Sequence, residues 1–108
     1  MRRGDLVTVI APGDYGKPRP AVVVQCDVLD RSASVVLCLL TTHCVDAPAI
    51  RITVEPAAGN GLEQRSQVMV DKIVTVARSR VGRIIGRLDD EQLLRLNRTL
   101  AFVLGLGQ

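Results

Sequence analysis

A chain of 108 residues has room for one domain with one modest core, and at 47% hydrophobic residues it has the material to build it. Only 2% of residues are aromatic, Tyr15 and Phe102, so the core must be aliphatic and a nucleic-acid site could not rest on a row of stacked rings. The formal net charge of +3 is mildly basic, and every basic side chain except Lys17 and Lys72 is arginine.

The chain opens on two short β-branched runs, "LVTVIA" at 6–11 and "AVVVQC" at 21–26, bounded by Gly, Pro and Asp as strands separated by a loop would be. In the loop, "GDYGKPRPAVVV" mounts Arg19 between Pro18 and Pro20. Prolines on either side restrict its backbone, which suits a guanidinium that must stay aimed at a phosphate and equally suits a turn before an edge strand. "ASVVLCLLTT" at 33–42 fits helix or strand by periodicity; its valines and the preceding "DRSAS" turn favour a buried strand. Thr41 and Thr42 end that strand, one toward each face, with Thr41 and His43 on the same face if the strand continues.

"AIRITVE" at 49–55 alternates cleanly, with Ile50, Ile52 and Val54 on one side, and "PAAGNG" then breaks the chain. Strand character resumes at 66–76 and again at 83–88, with a turn between them carrying Arg78 and Arg80. Together with Arg83 and Arg87 these form an arginine-rich segment, "RSRVGRIIGR", that could face phosphate or merely solvent. From Asp89 the period becomes helical: Asp89 can cap, Asp90 and Glu91 suit the first turn, and Leu93, Leu96, Leu100, Val103 and Leu104 recur on one side up to Gly105. Strands that follow one another without intervening helices predict a mostly β fold, an antiparallel sheet curled into a small barrel against which the last helix packs, as a single domain over 1–108.

Cys26, Cys38 and Cys44 are odd in number and lack metal-ligand spacing, and there is one histidine, so neither a conventional zinc site nor a Cys-His pair is expected and no cofactor is called for. No phosphate-binding Gly-Lys-Ser/Thr loop, dinucleotide fingerprint or nucleophile elbow occurs. The apolar run near the start is too short for a secretory signal and none is long enough to cross a bilayer, so a cytoplasmic protein without membrane attachment is the expectation. What remains for chemistry is Arg19, Thr41, Thr42, His43 and Asp71.

In order along the chain, "RRGDLVTV", "GKPRPAVVVQ", "LLTTH", "VMVDKIVTVARSRVGRIIGRL" and "DDEQLLRLNRTLAFVLGL" resemble the MazF/PemK family of toxin endoribonucleases over almost the whole length. The resemblance implies an SH3-like β-barrel with a C-terminal helix, a homodimer, a partner antitoxin, and metal-independent cleavage of single-stranded RNA. By match to the family's motifs, Arg19 is its catalytic arginine, Asp71 its catalytic aspartate, and Thr41 its catalytic threonine unless a one-residue gap puts Thr42 there. His43, Lys17, Arg78 and Arg80 are further candidates for chemistry or RNA contact, and Gly4–Asp5 matches a structural opening. His43 stands where the family commonly has glutamine, and Lys72 replaces the glutamine after the aspartate. Two other readings belong to different classes: a CcdB-like toxin that binds DNA gyrase without chemistry, against which the absence of tryptophan counts, and a non-catalytic RNA-binding module.

Overall fold

The computed structural model describes residues 1–13 and 15–107. Strands β1 (Asp5–Val9), β2 (Arg19–Val23), β3 (Ser34–Thr41), β4 (Arg51–Val54), β5 (Ser66–Ala77) and β6 (Val81–Arg87) precede helix α1 (Asp90–Val103). They form one antiparallel sheet in the order β4-β5-β3-β2-β1-β6. The mostly β architecture with a terminal helix is as the sequence implies, but the barrel is not closed, because β4 and β6 are sheet edges that do not pair.

A loop spans the gap instead. Arg87 N–H donates to the carbonyl of Gly59 (2.9 Å), joining the β4–β5 connection to β6. Asn60, 3% exposed, holds that loop in shape: its Oδ1 accepts from Ala57 N and Leu62 N, and its Nδ2 donates to Glu55 O. Loop and strand cross through two glycines. A Cβ on Gly61, whose φ is +68°, would strike the Ile85 backbone, and one on Gly86 would lie 2.6 Å from Asn60 Cα. "PAAGNG" therefore breaks the strand pattern and also serves as the clasp that holds the curled sheet together.

Alternation along the strands sends side chains to two cores. One, with Leu6, Val22, Cys38, Leu40, Ile52, Val54, Val68, Val70 and Leu88, is roofed by Leu96 and Leu100 of α1. The helix begins where the sequence places it, because Asp89 accepts from Gln92 N while the Gln92 side chain accepts from Asp89 N, a reciprocal capping box. The other core, including Val7, Val9, Ala21, Val23, Val35, Leu37 and Leu39, has no helix over it. It is buried by the sheet's own curl: the long β5 brings in Met69, Val74 and Val76, and a single 3₁₀ turn at Arg78–Arg80 returns the chain with Val81 into β6.

β5 can bend that far because it is bulged. Its register jumps from Cys38↔Ile73 to Leu40↔Val68, so that two steps along β3 are matched by five along β5. Asp71 falls in this bulge. At the opposite end of β1, Asp5 is buried and accepts from Arg87 Nη1 (2.8 Å) and Arg2 N (2.7 Å), consistent with a structural Gly4–Asp5. On the outer surface Leu94, Phe102, Leu104 and Leu106 remain exposed. No helix among the described residues is long and apolar enough to cross a membrane.

Candidate functional site

Arg19 is the first residue of β2 and stands opposite Val9 of β1, while Ala21↔Leu39 in the next ladder brings it level with Thr41 at the end of β3. Proline at the second position of the strand forgoes an N–H where the ladder is only beginning, so the local sequence fits a strand that starts abruptly at a half-buried arginine. Arg19 Nη2 donates to the Leu40 carbonyl (3.4 Å), laying the guanidinium across the end of β3.

Beyond Thr41 the chain turns sharply. Thr41 Oγ1 accepts from His43 N (3.1 Å), which leaves its own O–H proton available to an external acceptor. The loop that follows is fastened by Gln67, directly across the ladder from Thr41 and 5% exposed. Its amide accepts from Val45 N (3.0 Å) and donates to Val45 O (2.9 Å) and Thr53 Oγ1 (3.2 Å), standing in for a strand backbone that is not there.

Two adjoining hollows open at this end of the sheet. The smaller, of ≈ 170 Å³, is lined by Pro18, Arg19, Pro20, Leu40, Thr41, Thr42 and Ser66. The larger, of ≈ 340 Å³, shares Arg19, Thr42 and Ser66 with it and extends past Thr8, Arg83 and Ile85 to Gly61, Leu62, Glu63 and Gln64. Arginine and hydroxyl donors around a small polar hollow are the equipment for holding a phosphate group in place.

The structure thus brings Arg19, Thr41 and Thr42 together, with both threonines at the smaller hollow and Thr42 alone reaching the larger. Other expected residues stand apart. His43 and Lys17 are exposed and line neither hollow. Asp71 also lines neither; its carboxylate lies 3.5 Å from Arg51 Nε, an ion pair without hydrogen-bond geometry. It is close enough to Cys38 that its charge reinforces burial in pushing that thiol up to about 12. Arg78 Nε donates to Ser32 O (2.7 Å) and Arg80 Nη1 to Ile10 O (3.4 Å), so both tie loops to the 3₁₀ turn.

Sequence reasoning missed Glu63, Gln64, Ser66 and Thr8 as lining residues, and it treated Arg83 only as one arginine of a run. Alternation along β6 from Ile85 could have flagged Arg83, since the two share a side of the strand; the others depend on the clasp. Among the described residues, no group of three or more His, Cys, Asp or Glu side chains gathers as a metal would require.

Comparison with known proteins follows the same outline. Residues 2–104 match the family of PemK-like, MazF-like toxins of type II toxin-antitoxin systems. A probable endoribonuclease MazF of Mycolicibacterium smegmatis is 44% identical over 108 residues, covering 99% of each chain. The fold is shared with an endoribonuclease from a Mycobacterial species solved in complex with its cognate antitoxin, at TM-score 0.83 and 23% identity over 100% of this chain and 98% of that one. It is shared too with the Mycobacterium tuberculosis toxin MazF-mt6, at TM-score 0.82 and 24% identity over 96% of this chain and 99% of that one.

Proposed function

Since this chain belongs to the PemK-like, MazF-like toxin family of type II toxin-antitoxin systems, we propose that it is an endoribonuclease that cuts single-stranded RNA in the cytoplasm. The observation that carries this reading is the meeting of Arg19 with Thr41 and Thr42 around one small hollow.

A phosphodiester seated there would have Arg19 against its non-bridging oxygens and a threonine O–H donated to the same group. The neighbouring ribose 2′-hydroxyl attacks phosphorus as its proton passes to water, the bond to the 5′-oxygen of the next nucleotide breaks as that oxygen takes up a proton, and the products are a 2′,3′-cyclic phosphate and a 5′-hydroxyl end. Charge builds on the phosphoryl oxygens in the transition state, where a fixed guanidinium is most valuable. Arg19 can stabilise that charge or protonate the leaving oxygen, but with a pKa above about 12 it is a poor base. Asp71, paired with Arg51 outside the hollows, is assigned to holding β4 and β5 rather than to the chemical step.

As a toxin of such a system the protein is held inactive by a cognate antitoxin, for which the basic rim around Arg19 and Arg83 favours an acidic segment. The exposed Leu94, Phe102, Leu104 and Leu106 support a homodimer that covers part of this apolar surface.

The test is incubation of purified protein with a long single-stranded RNA and the matching DNA in the presence of EDTA. Cleavage of RNA alone, with cyclic phosphate ends, is the expected result. RNA left intact across many sequences by correctly folded protein would refute it.

A further inference from the structure

The two hollows differ in what lines them, and the difference divides the labour of the site. The smaller holds Arg19, Thr41, Thr42 and Ser66, and fits a phosphate. The larger adds apolar surface from Leu62 and Ile85, and beyond it the carboxylate of Glu63 and the amide of Gln64. Its volume of ≈ 340 Å³ lies at the low end of the range, roughly 300–1,000 Å³, typical of sites for small organic ligands. The space suits one nucleoside attached to the phosphate next door.

Among the described residues that line the larger hollow, Glu63 is the only one with a carboxylate. Its neighbour Arg65 is already engaged with Glu55, Nε to Oε1 at 2.9 Å, and Glu63 itself enters no ion pair or side-chain hydrogen bond among the described residues. An ionised carboxylate offers acceptors only. It can therefore be matched by N–H donors on a base edge, and it repels carbonyl oxygens presented to it.

From this arrangement we infer that the larger hollow is a base-reading subsite in which Glu63 selects a nucleobase bearing an exocyclic amino group, against uracil, next to the cleaved phosphate. Leu62 and Ile85 supply the apolar face for the ring, in a protein with hardly any aromatic side chains to stack on it. A uracil edge has one N–H flanked by two carbonyl oxygens, whereas cytosine, adenine and guanine each present an amino group to the carboxylate. Glu63 lies outside the smaller hollow, which sets it with recognition rather than with proton transfer at phosphorus. The clasp through Gly61 and Gly86 gives the reading residues a rigid mount on β6.

The inference rests on the endoribonuclease reading, and two measurements keep their failures apart. Cleavage sites are mapped on a randomised single-stranded RNA pool with the intact protein and with Glu63→Gln, which preserves shape while replacing one acceptor by a donor. In parallel, binding of single-stranded DNA oligonucleotides is measured for both proteins; DNA lacks the nucleophile, and thymine presents the same edge as uracil. The intact protein should disfavour uracil at one position beside the cut by about tenfold or more, and Glu63→Gln should reduce that bias to a small factor, in cutting and in binding. An unchanged cleavage motif in Glu63→Gln would overturn the inference and leave the endoribonuclease reading standing. Loss of all cutting by folded Glu63→Gln with its base preference in binding intact would also overturn it, by moving the carboxylate into the chemical step. If the intact protein cuts nothing yet binds with a bias that Glu63→Gln removes, the endoribonuclease reading fails while the subsite survives.

Discussion

The two ends of β1 each face an arginine on a neighbouring strand, and the two arginines serve different purposes. At the Asp5 end, Arg87 of β6 gives Nη1 to the buried Asp5 carboxylate and Nη2 to the Arg3 carbonyl at 3.2 Å. At the Val9 end, Arg19 of β2 lies across the main chain of β3 and borders both hollows. One guanidinium closes a structural junction, and the other meets whatever enters from solvent. Residue type is therefore uninformative by itself here; both side chains are engaged within the protein, and what decides is that Arg19 also borders open volume.

The sharpest test of that contrast is Arg19→Ala. Loss of one donor to the developing phosphoryl charge is expected to lower the RNA cleavage rate by about 10²–10³, while the melting temperature hardly moves. Single-turnover cleavage beside a thermal melt reads both. Gly61→Ala joins the two regions, since it burdens the clasp with a Cβ against Ile85 at a left-handed backbone position. It should cost roughly 2–4 kcal/mol by strain and overpacking, seen as a shifted urea midpoint, and activity should fall in step with the folded fraction.

Asp5→Asn probes the structural end alone. Removing the carboxylate under Arg87 should cost about 1–3 kcal/mol in denaturant melts and leave the cleavage rate per folded molecule near its original value. A loss of rate comparable to that of Arg19→Ala would erase the distinction between the ends.

The smallest effect belongs to Cys38, whose thiol is pushed from an ordinary 9.0 to about 12, first by burial and then by Asp71. Between these values the unfolded chain has released a proton that the folded chain still holds, so stability falls as pH rises from 9 toward 12. By pH 10 the loss is roughly 1 kcal/mol, measurable by chemical denaturation against a Cys38→Ala control. For the same reasons Cys38 should resist alkylation in the native protein while the exposed Cys26 reacts.

Strands and helix were legible because each carries a local signal: β-branched runs at period two, and a capping box ahead of leucines at helical spacing. Arg19, Thr41 and Thr42 were legible as a family pattern, and the β2–β3 ladder draws them together. The surroundings of Asp71 were not legible in the pattern, because the bulge in β5 shifts pairing between its two ends and sets the aspartate beside Arg51. The far wall of the larger hollow was hidden for another reason. Glu63 and Arg83 lie on segments joined by a clasp of glycines and a buried asparagine, and such a crossing leaves no periodic trace. The open edge between β4 and β6 was invisible for the same reason, since a curl stitched by a loop and a closed barrel need the same alternation.

β1 lies between β2 and β6, so its two neighbours are made at very different times. Asp5 waits for a partner 82 positions further along the chain. Translation at roughly 5–20 residues per second makes that a delay of several seconds. Until residues 81–87 are available, the growing polypeptide has no Arg83 or Ile85 to wall the larger hollow, and until α1 follows, the core beneath Leu96 stays open to water. A nuclease assembled in this order withholds its complete cleft from the transcript being read until β6 has been made and paired with β1.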